Sequence, residues 1–168
     1  MLRNMRRKKQ ELPLKDCKDV LRRGSSGVLA VLGDNGYPYA VPLSYAYHEN
    51  SLYFHSAGAG HKLDAIARDN RVSFCVIDKD EVIPQEFTTY FRSVIAFGKA
   101  RIVDEEAEKR NALVLLLAKY SRGHEQKGMA EIDKFFQQVC VLALDIEHLT
   151  GKEAIELVAG KKQPSVKE

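Results

Sequence analysis

A chain of 168 residues, 45% of them hydrophobic and with a formal net charge of +3, has enough apolar content for the core of one domain spanning 1–168. So small a positive balance excludes a dedicated DNA-binding module, which needs a strong basic stripe. Cys17, Cys75 and Cys140 are odd in number and far apart, so neither a disulfide framework nor a zinc site is readable. Cys75 and Cys140 lie in apolar runs, which predicts buried free thiols.

Residues 1–10 form a basic arm: Arg3, Arg6, Arg7, Lys8 and Lys9 stand there without an acid, as in a solvated terminus. No apolar stretch follows, so no signal peptide is expected. "LKDCKDVLRRG" predicts a short helix closed by Gly24, with Leu14, Cys17, Val20 and Leu21 on one side. "GVLAVLG", "YPYAVPLSYAY" and "SLYFHSA" are rich in β-formers and separated by the turn sequences "DNG" and "HEN", which predicts a three-stranded meander.

A helix is predicted from about Gly60 to Asn70, with Leu63, Ile66 and Ala67 inward. "RVSFCVID" reads as a fourth strand and "DKDEVIPQE" as a charged loop. "FTTYFRSVIAFGKARIV" reads as one long strand, or two joined at a bend near Gly98. "DEEAEKRNALVLLLAKY" is the clearest helix, with acids at its start and Lys119 near its end. Its apolar run, "ALVLLLA", is too short to span a membrane. "MAEIDKFFQQ" predicts a helical turn or two, "VCVLALDIEHLTG" a strand, and 160–168 a flexible tail. Strands in the middle with helices between them predict a mainly β, α+β fold, an antiparallel barrel with peripheral helices. A cytoplasmic protein is expected, with neither nucleic acid nor membrane among its partners.

Three stretches carry chemistry. In "SAGAGHKLDAIARDN", residues 56–70, glycines run into a predicted helix start. The loop fits neither a P-loop, for want of a Gly-Lys-Ser/Thr run, nor a dinucleotide fingerprint, because Leu63 replaces the third glycine. Backbone amides at a helix start lack internal partners and the dipole makes that end positive, so an anion fits there. Lys62 adds a cation, Ser56 a hydroxyl and His61 a second donor. A plain strand-to-helix turn with a solvated lysine is the alternative. Along "YPYAVPLSYAY" the odd positions are all large, and Pro38, Ala40, Pro42, Ser44 and Ala46 are all small. One face fills a core; the other suits a flat ligand, a second sheet or a second subunit. Arg92 stands among apolar and aromatic neighbours with Thr88, Thr89 and Ser93 nearby, and calls for an anion, a carboxylate or an interface.

Together "MRRKKQELP", "GYPYAVPLSYAY", "LYFHSAGAGHKLDAI", "VSFCVI", "FTTYFRSVIAFGKARIV" and "DIEHLTGKEAIELV" resemble the 5-nitroimidazole-resistance proteins of the pyridoxamine 5'-phosphate oxidase-like superfamily, from about Met5 to Val158. The resemblance implies an antiparallel split β-barrel, a homodimer, and FMN at the dimer interface. It implies that Lys62 meets the FMN phosphate with Ser56 and His61 beside it. Val41, Pro42, Leu43, Ser44 and Tyr45 would border the flavin ring through backbone and the Ser44 hydroxyl. Thr89, Arg92 and Ser93 would reach FMN from the opposite subunit. His61 is also the candidate catalytic residue, orienting a substrate or donating a proton. His55 is expected in a core or interface, and His48, His124 and His148 in solvent. The chain lacks Trp and the basic C-terminal segment of pyridoxamine phosphate oxidase itself, which argues against vitamin B6 oxidation. An FMN-dependent reductase of small molecules such as 5-nitroimidazoles is the implied activity. A flavin- or haem-binding protein without turnover is the alternative.

Overall fold

The computed structural model describes residues 4–160; Arg3 of the basic arm and positions 161–168 of the expected tail lie outside them. A 3-10 turn at Lys8–Gln10 leads to α1 (Leu14–Arg23), β1 (Ser26–Leu32), β2 (Pro38–Ser44), β3 (Ala46–His48) and β4 (Ser51–Ser56). Then come α2 (His61–Arg68), β5 (Arg71–Ile83), β6 (Thr88–Ile102), α3 (Glu106–Tyr120), α4 (Glu125–Phe135), β7 (Cys140–Glu153) and α5 (Ile155–Gly160).

The seven strands form one antiparallel sheet in the order β2-β1-β5-β6-β7-β4-β3. Consecutive strands β2 and β3, separated only by Tyr45, therefore sit at opposite ends of the order. The sheet curls until its ends meet at that residue, as a split β-barrel. This corrects the expected meander: β2 pairs with β1 and β3 with β4, with no ladder between β2 and β3. Tyr45 leaves both ladders, so its backbone needs other partners. Its N–H donates to the Tyr120 hydroxyl (2.9 Å), and its carbonyl accepts from Lys119 Nζ (2.9 Å). The Tyr120 hydroxyl also lies within reach of the Ser25 and Tyr45 carbonyls. The Tyr45 ring is fully buried and its own hydroxyl donates to the Leu21 carbonyl at 2.8 Å. Lys119 and Tyr120 thus clamp the seam from the end of α3.

Strand alternation sorts the core into two layers. Leu52 and Phe54 of β4 and Leu142 and Leu144 of β7 point into the barrel with Phe74, Val76 and Val94. Tyr53, Val141 and Ala143 point the other way, against Ala112 and Leu113 of α3 and Phe136. α1 closes one opening of the barrel with Cys17, Val20 and Leu21. Leu14, expected beside them, is 57% exposed because it starts the helix, before the first inward turn. In α2 the inward residues are Leu63, Ala65 and Ile66; Ala67 faces solvent. Cys17 is the buried thiol, whereas Cys75 and Cys140 are only half-buried, because their strand faces are incompletely covered.

The bend expected near Gly98 is a register shift between Phe97 and Gly98. A Cβ at Gly98 would lie 2.0 Å from the Asp145 carbonyl oxygen, so only glycine lets the strands approach there. The charged "DKDEVIPQE" is not a loop, a second correction. β5 runs on to Ile83, pairing Asp80 with Phe91 and Glu81 with Tyr90, and only Pro84–Glu86 turn. Asp78 at the start of the stretch turns inward, while Asp80 and Glu81 face water on a two-stranded arm, where Lys79 pairs with Glu81 at 2.7 Å. α4 begins at Glu125, well before the stretch expected to be helical. Gly128 inside it permits close packing on α3, since a Cβ there would come within 2.1 Å of Leu117. No described helix is long and apolar enough to cross a membrane.

Candidate functional site

β4 ends at Ser56 and the glycine loop carries the chain into α2. Gly60 has φ +133, a conformation that L side chains rarely adopt. The first amides to find loop acceptors are those of Leu63 and Asp64, both on the Gly60 carbonyl. The His61 and Lys62 amides precede them at the positive end of the helix. A Cβ at Gly58 would meet nothing within 4 Å, so internal packing does not demand glycine there. The loop surface is open to a ligand.

The side chains on this loop differ in how free they are. Ser56 is buried and donates to the Ala57 carbonyl at 2.9 Å. The His61 ring stacks on Tyr39, centroids 4.2 Å apart and 14° from parallel. Its Nε2 lies 3.4 Å from Asp34, which also meets Arg68 at 2.6 Å. His61 therefore ties the loop to β2 and the turn before it. Lys62 is half-buried and forms no ion pair among the described residues. A cation in the first helical turn, where the dipole opposes it, has no internal reason to be there.

His55, next to Ser56 on β4, lines a cavity of 760 Å³ that α3 and α4 enclose against the barrel, within the size range of small-molecule sites. Leu116, Leu117 and Tyr120 of α3 give it apolar walls, and Ser44, His55 and His124 supply polar groups. On β2, Pro42 and Ser44 are exposed while Val41 and Leu43 pack against the core. The small face is thus open, and the Tyr45 ring is too deeply buried to touch a ligand. His55, expected in a core or interface, is exposed and lines the cavity. The place of His55, Tyr120 and His124 in this lining escapes sequence reasoning. The one available signal was α3 itself, apolar on more than one side and so packed on more than one side.

Lys119 bounds the seam beside this cavity, 3.9 Å from the centroid of the Tyr45 ring. Burial lowers its pKa from 10.5 to about 8. Between these values the unfolded chain holds a proton that the folded one has lost, so stability rises with pH across that window. Burial instead pushes the Cys17 thiol up to about 11, and that contribution declines as pH rises through the unfolded thiol range. The difference between wild type and Lys119→Met isolates the lysine. Urea midpoints at pH 7.5 and 9.5 should show the wild type gaining on the variant. Parallel changes in the two proteins would show that Lys119 does not titrate there.

Thr89, Arg92 and Ser93 are not brought to the loop. Arg92 donates from Nε to Glu153 (3.0 Å) and from Nη1 to Asp78 (3.1 Å). Arg23 meets both oxygens of Asp78 at 2.6 Å. Burial alone would raise the Asp78 pKa, but the two guanidiniums outweigh it and hold it below the usual range. Of the three partners open to Arg92 in the sequence, the structure supplies carboxylates. The ladder from Arg92↔Glu153 to Ile102↔Leu142 covers about 30 Å at the usual rise per residue. The glycine loop lies beyond its far end, where Ser56 pairs with Cys140.

The model of the family "Pyridoxamine 5'-phosphate oxidase" matches residues 13–153. The chain belongs to the pyridoxamine 5'-phosphate oxidase family. Solved structures share the fold of this pyridoxamine 5'-phosphate oxidase family member. A candidate 5-nitroimidazole antibiotic resistance protein from Bacteroides thetaiotaomicron is 21% identical, with TM-score 0.70, covering 85% of this chain and 86% of that one. A conserved hypothetical protein from Mycobacterium tuberculosis is 19% identical, with TM-score 0.79 and 98% of both chains covered. An FAD-binding protein from Mesorhizobium loti is 25% identical, with TM-score 0.62, covering 86% of this chain and 97% of that one. Among curated proteins none matches.

Proposed function

We propose that this family member is a flavoprotein that holds FMN between two copies of itself and reduces small compounds, 5-nitroimidazoles among them. The observation that carries the reading is Lys62, half-buried at an open glycine loop without an ion pair, beside a cavity of 760 Å³. The donor set fits a phosphate: backbone amides, a lysine and a helix start. The exposed small face of β2 fits a flat ring. The FAD-binding relative supports a flavin as the ligand class, and a lysine at a helix start suits a flavin phosphate such as that of FMN.

Two copies are needed on this reading. Thr89, Arg92 and Ser93 lie farther from the loop of their own chain than one FMN reaches. Ile77, Val82 and Phe87 on the β5–β6 arm are 64%, 68% and 97% exposed, apolar surface that a second protomer would cover.

FMN supplies the electron transfer when bound. The chain's own residues bind and orient. Lys62 neutralises the phosphate, His61 braces the loop, and the apolar wall of α3 excludes water from the ring. His55 joins His61 as a candidate proton donor to a substrate in the cavity.

The purified protein should be a yellow dimer by absorbance and light scattering. A red protein would favour the haem alternative. Chemically reduced anaerobic protein should be reoxidised by a nitroimidazole, giving the two-electron nitroso product, or the six-electron amine when reduced flavin is in excess, as seen by mass spectrometry. His55→Ala should slow this more than His61→Ala at equal flavin occupancy. Absence of reoxidation in the wild type would remove nitroreduction, and a flavin-loaded monomer would remove the shared site.

A further inference from the structure

The turn between β1 and β2 carries a reactive pair. "DNG", residues 34–36, is the one place in the sequence where a glycine follows an asparagine. Asn35 stands at φ +56 and Gly36 at φ +80, the left-handed geometry that these two residue types accept most readily. Two backbone bonds close the turn. The Gly33 N–H donates to the Tyr37 carbonyl at 2.9 Å, and the Tyr37 N–H donates to the Asp34 carbonyl at 3.1 Å. The Gly36 nitrogen takes part in neither. Asn35 and Gly36 are both exposed, and a Cβ at Gly36 would meet nothing within 4 Å. Water and open space therefore surround the pair.

An exposed asparagine followed by glycine is open to one reaction that needs only water. The glycine nitrogen attacks the side-chain carbonyl carbon of the asparagine. The bond from that carbon to the side-chain nitrogen breaks, and ammonia leaves with the proton of the attacking nitrogen. A five-membered imide remains, and water opens it at either carbonyl. No electron is gained or lost. One opening gives aspartate. The other gives isoaspartate, in which the side-chain methylene has entered the main chain. Both add one negative charge. Glycine favours the ring closure because it has no Cβ to crowd it.

The neighbour of this pair is a joint of the fold. The Asp34 carboxylate meets Arg68 at 2.6 Å and lies 3.4 Å from Nε2 of His61. These are the last and the first residues of α2, so one side chain fastens the turn to both ends of that helix. A main chain lengthened at residue 35 displaces Asp34 from these contacts or shifts the Leu32↔Pro38 pairing beside it.

We propose that Asn35 is a modification site, converted with time to isoaspartate, and that the conversion releases α2 and the glycine loop from the β1–β2 turn. The protein thus carries a clock beside its candidate anion site. The effect on flavin rests on the function proposed above; the chemistry at Asn35 and the release of α2 do not.

The test is to age the full chain, loaded with FMN, in warm and mildly alkaline buffer over days. Peptide mass spectrometry and enzymatic methylation of isoaspartate locate and count the product. Asn50 is the internal control, because its side-chain amide is held by the Ile146 carbonyl at 2.6 Å. Asn35 should convert at least about tenfold faster than Asn50. The His61 ring, stacked on Tyr39, reports the release of α2, and its proton resonances should lose the shielding of that stack as isoaspartate accumulates. FMN affinity should fall about fivefold, the size of one lost surface ion pair. Asn35→Gly, which accepts the same backbone geometry, should age without either change. Asn35→Asp adds the charge without the extra methylene, and should alter affinity less than about twofold.

Conversion of Asn35 no faster than that of Asn50 overturns the site. Conversion with an unmoved His61 ring overturns the release of α2. A loss in Asn35→Asp as large as in the aged protein overturns the role of the lengthened main chain. Fresh protein that binds no FMN, yet frees His61 on ageing, would remove the flavin reading and leave this one. Tight FMN binding with an unconverted Asn35 would do the reverse.

Discussion

Arg92→Ala is expected to destabilise the fold by about 3–5 kcal/mol, the cost of breaking a buried ion pair from one side. The loss comes from what is left behind. The Glu153 side chain is 4% exposed, so water cannot replace the guanidinium it loses, whereas Asp78 keeps its paired contact with Arg23. Arg92→Lys should recover little, because one ammonium cannot bridge two carboxylates as the guanidinium fork does. Arg92→Met combined with Glu153→Met should recover part of the loss, since it removes a buried charge together with the guanidinium that faced it. Thermal and urea unfolding measure all three. If Arg92 instead served a bound phosphate from its own chain, the alanine variant would keep its melting temperature and lose only flavin. That result would set the carboxylate assignment aside.

Lys62→Ala should weaken FMN binding by about 1.5–3 kcal/mol, the range for a hydrogen bond to a charged group. Riboflavin, which has no phosphate, should bind almost as before. The fold should not suffer, because no ion pair among the described residues depends on Lys62 and its side chain lies outside the core clusters. Fluorescence titration with both flavins at equal protein concentration gives the comparison. Equal losses for FMN and riboflavin would show that Lys62 does not read phosphate. His61→Ala should also weaken FMN, but through the loop. Removing its stack on Tyr39 and its contact with Asp34 loosens the backbone that carries the amides.

What was legible in the sequence depended on distance along the chain. α1, the long α3 and the glycine-dependent bend at Gly98 follow from neighbouring residues. So does the large-small alternation of β2, because strand period two is a local property. The crossing at Tyr45 was illegible. Nothing in "PLSYAY" says that its two halves pair with strands at opposite ends of the sheet, and the anchoring hydroxyl comes from Tyr120, 75 residues away. The pairing of Arg92 with Glu153 spans 61 residues and was one of three open choices. The glycine loop was recognisable as a candidate anion site because helix-terminal physics is local. The cavity was not, since α3 and α4 enclose it against a barrel whose closure the sequence does not announce. The charged stretch around Asp80 misled for a related reason. Charges suggest a loop, yet a two-stranded arm with both faces largely in water tolerates them.

The seam at Tyr45 also guards the barrel against a particular error. A strand that slips by one residue against its neighbour turns every side chain to the wrong face. Here a slip of β2 along β1 cannot occur alone. Tyr45 would drag β3 with it, and the Ala46↔Tyr53 and Tyr47↔Leu52 pairs would have to shift too. That shift would turn Ala46 and Tyr47 to the wrong faces against β4, which its own ladder with β7 holds in place. Two ladders at opposite ends of the sheet therefore check one another's alignment through a single residue, and a mistake in either is charged to both.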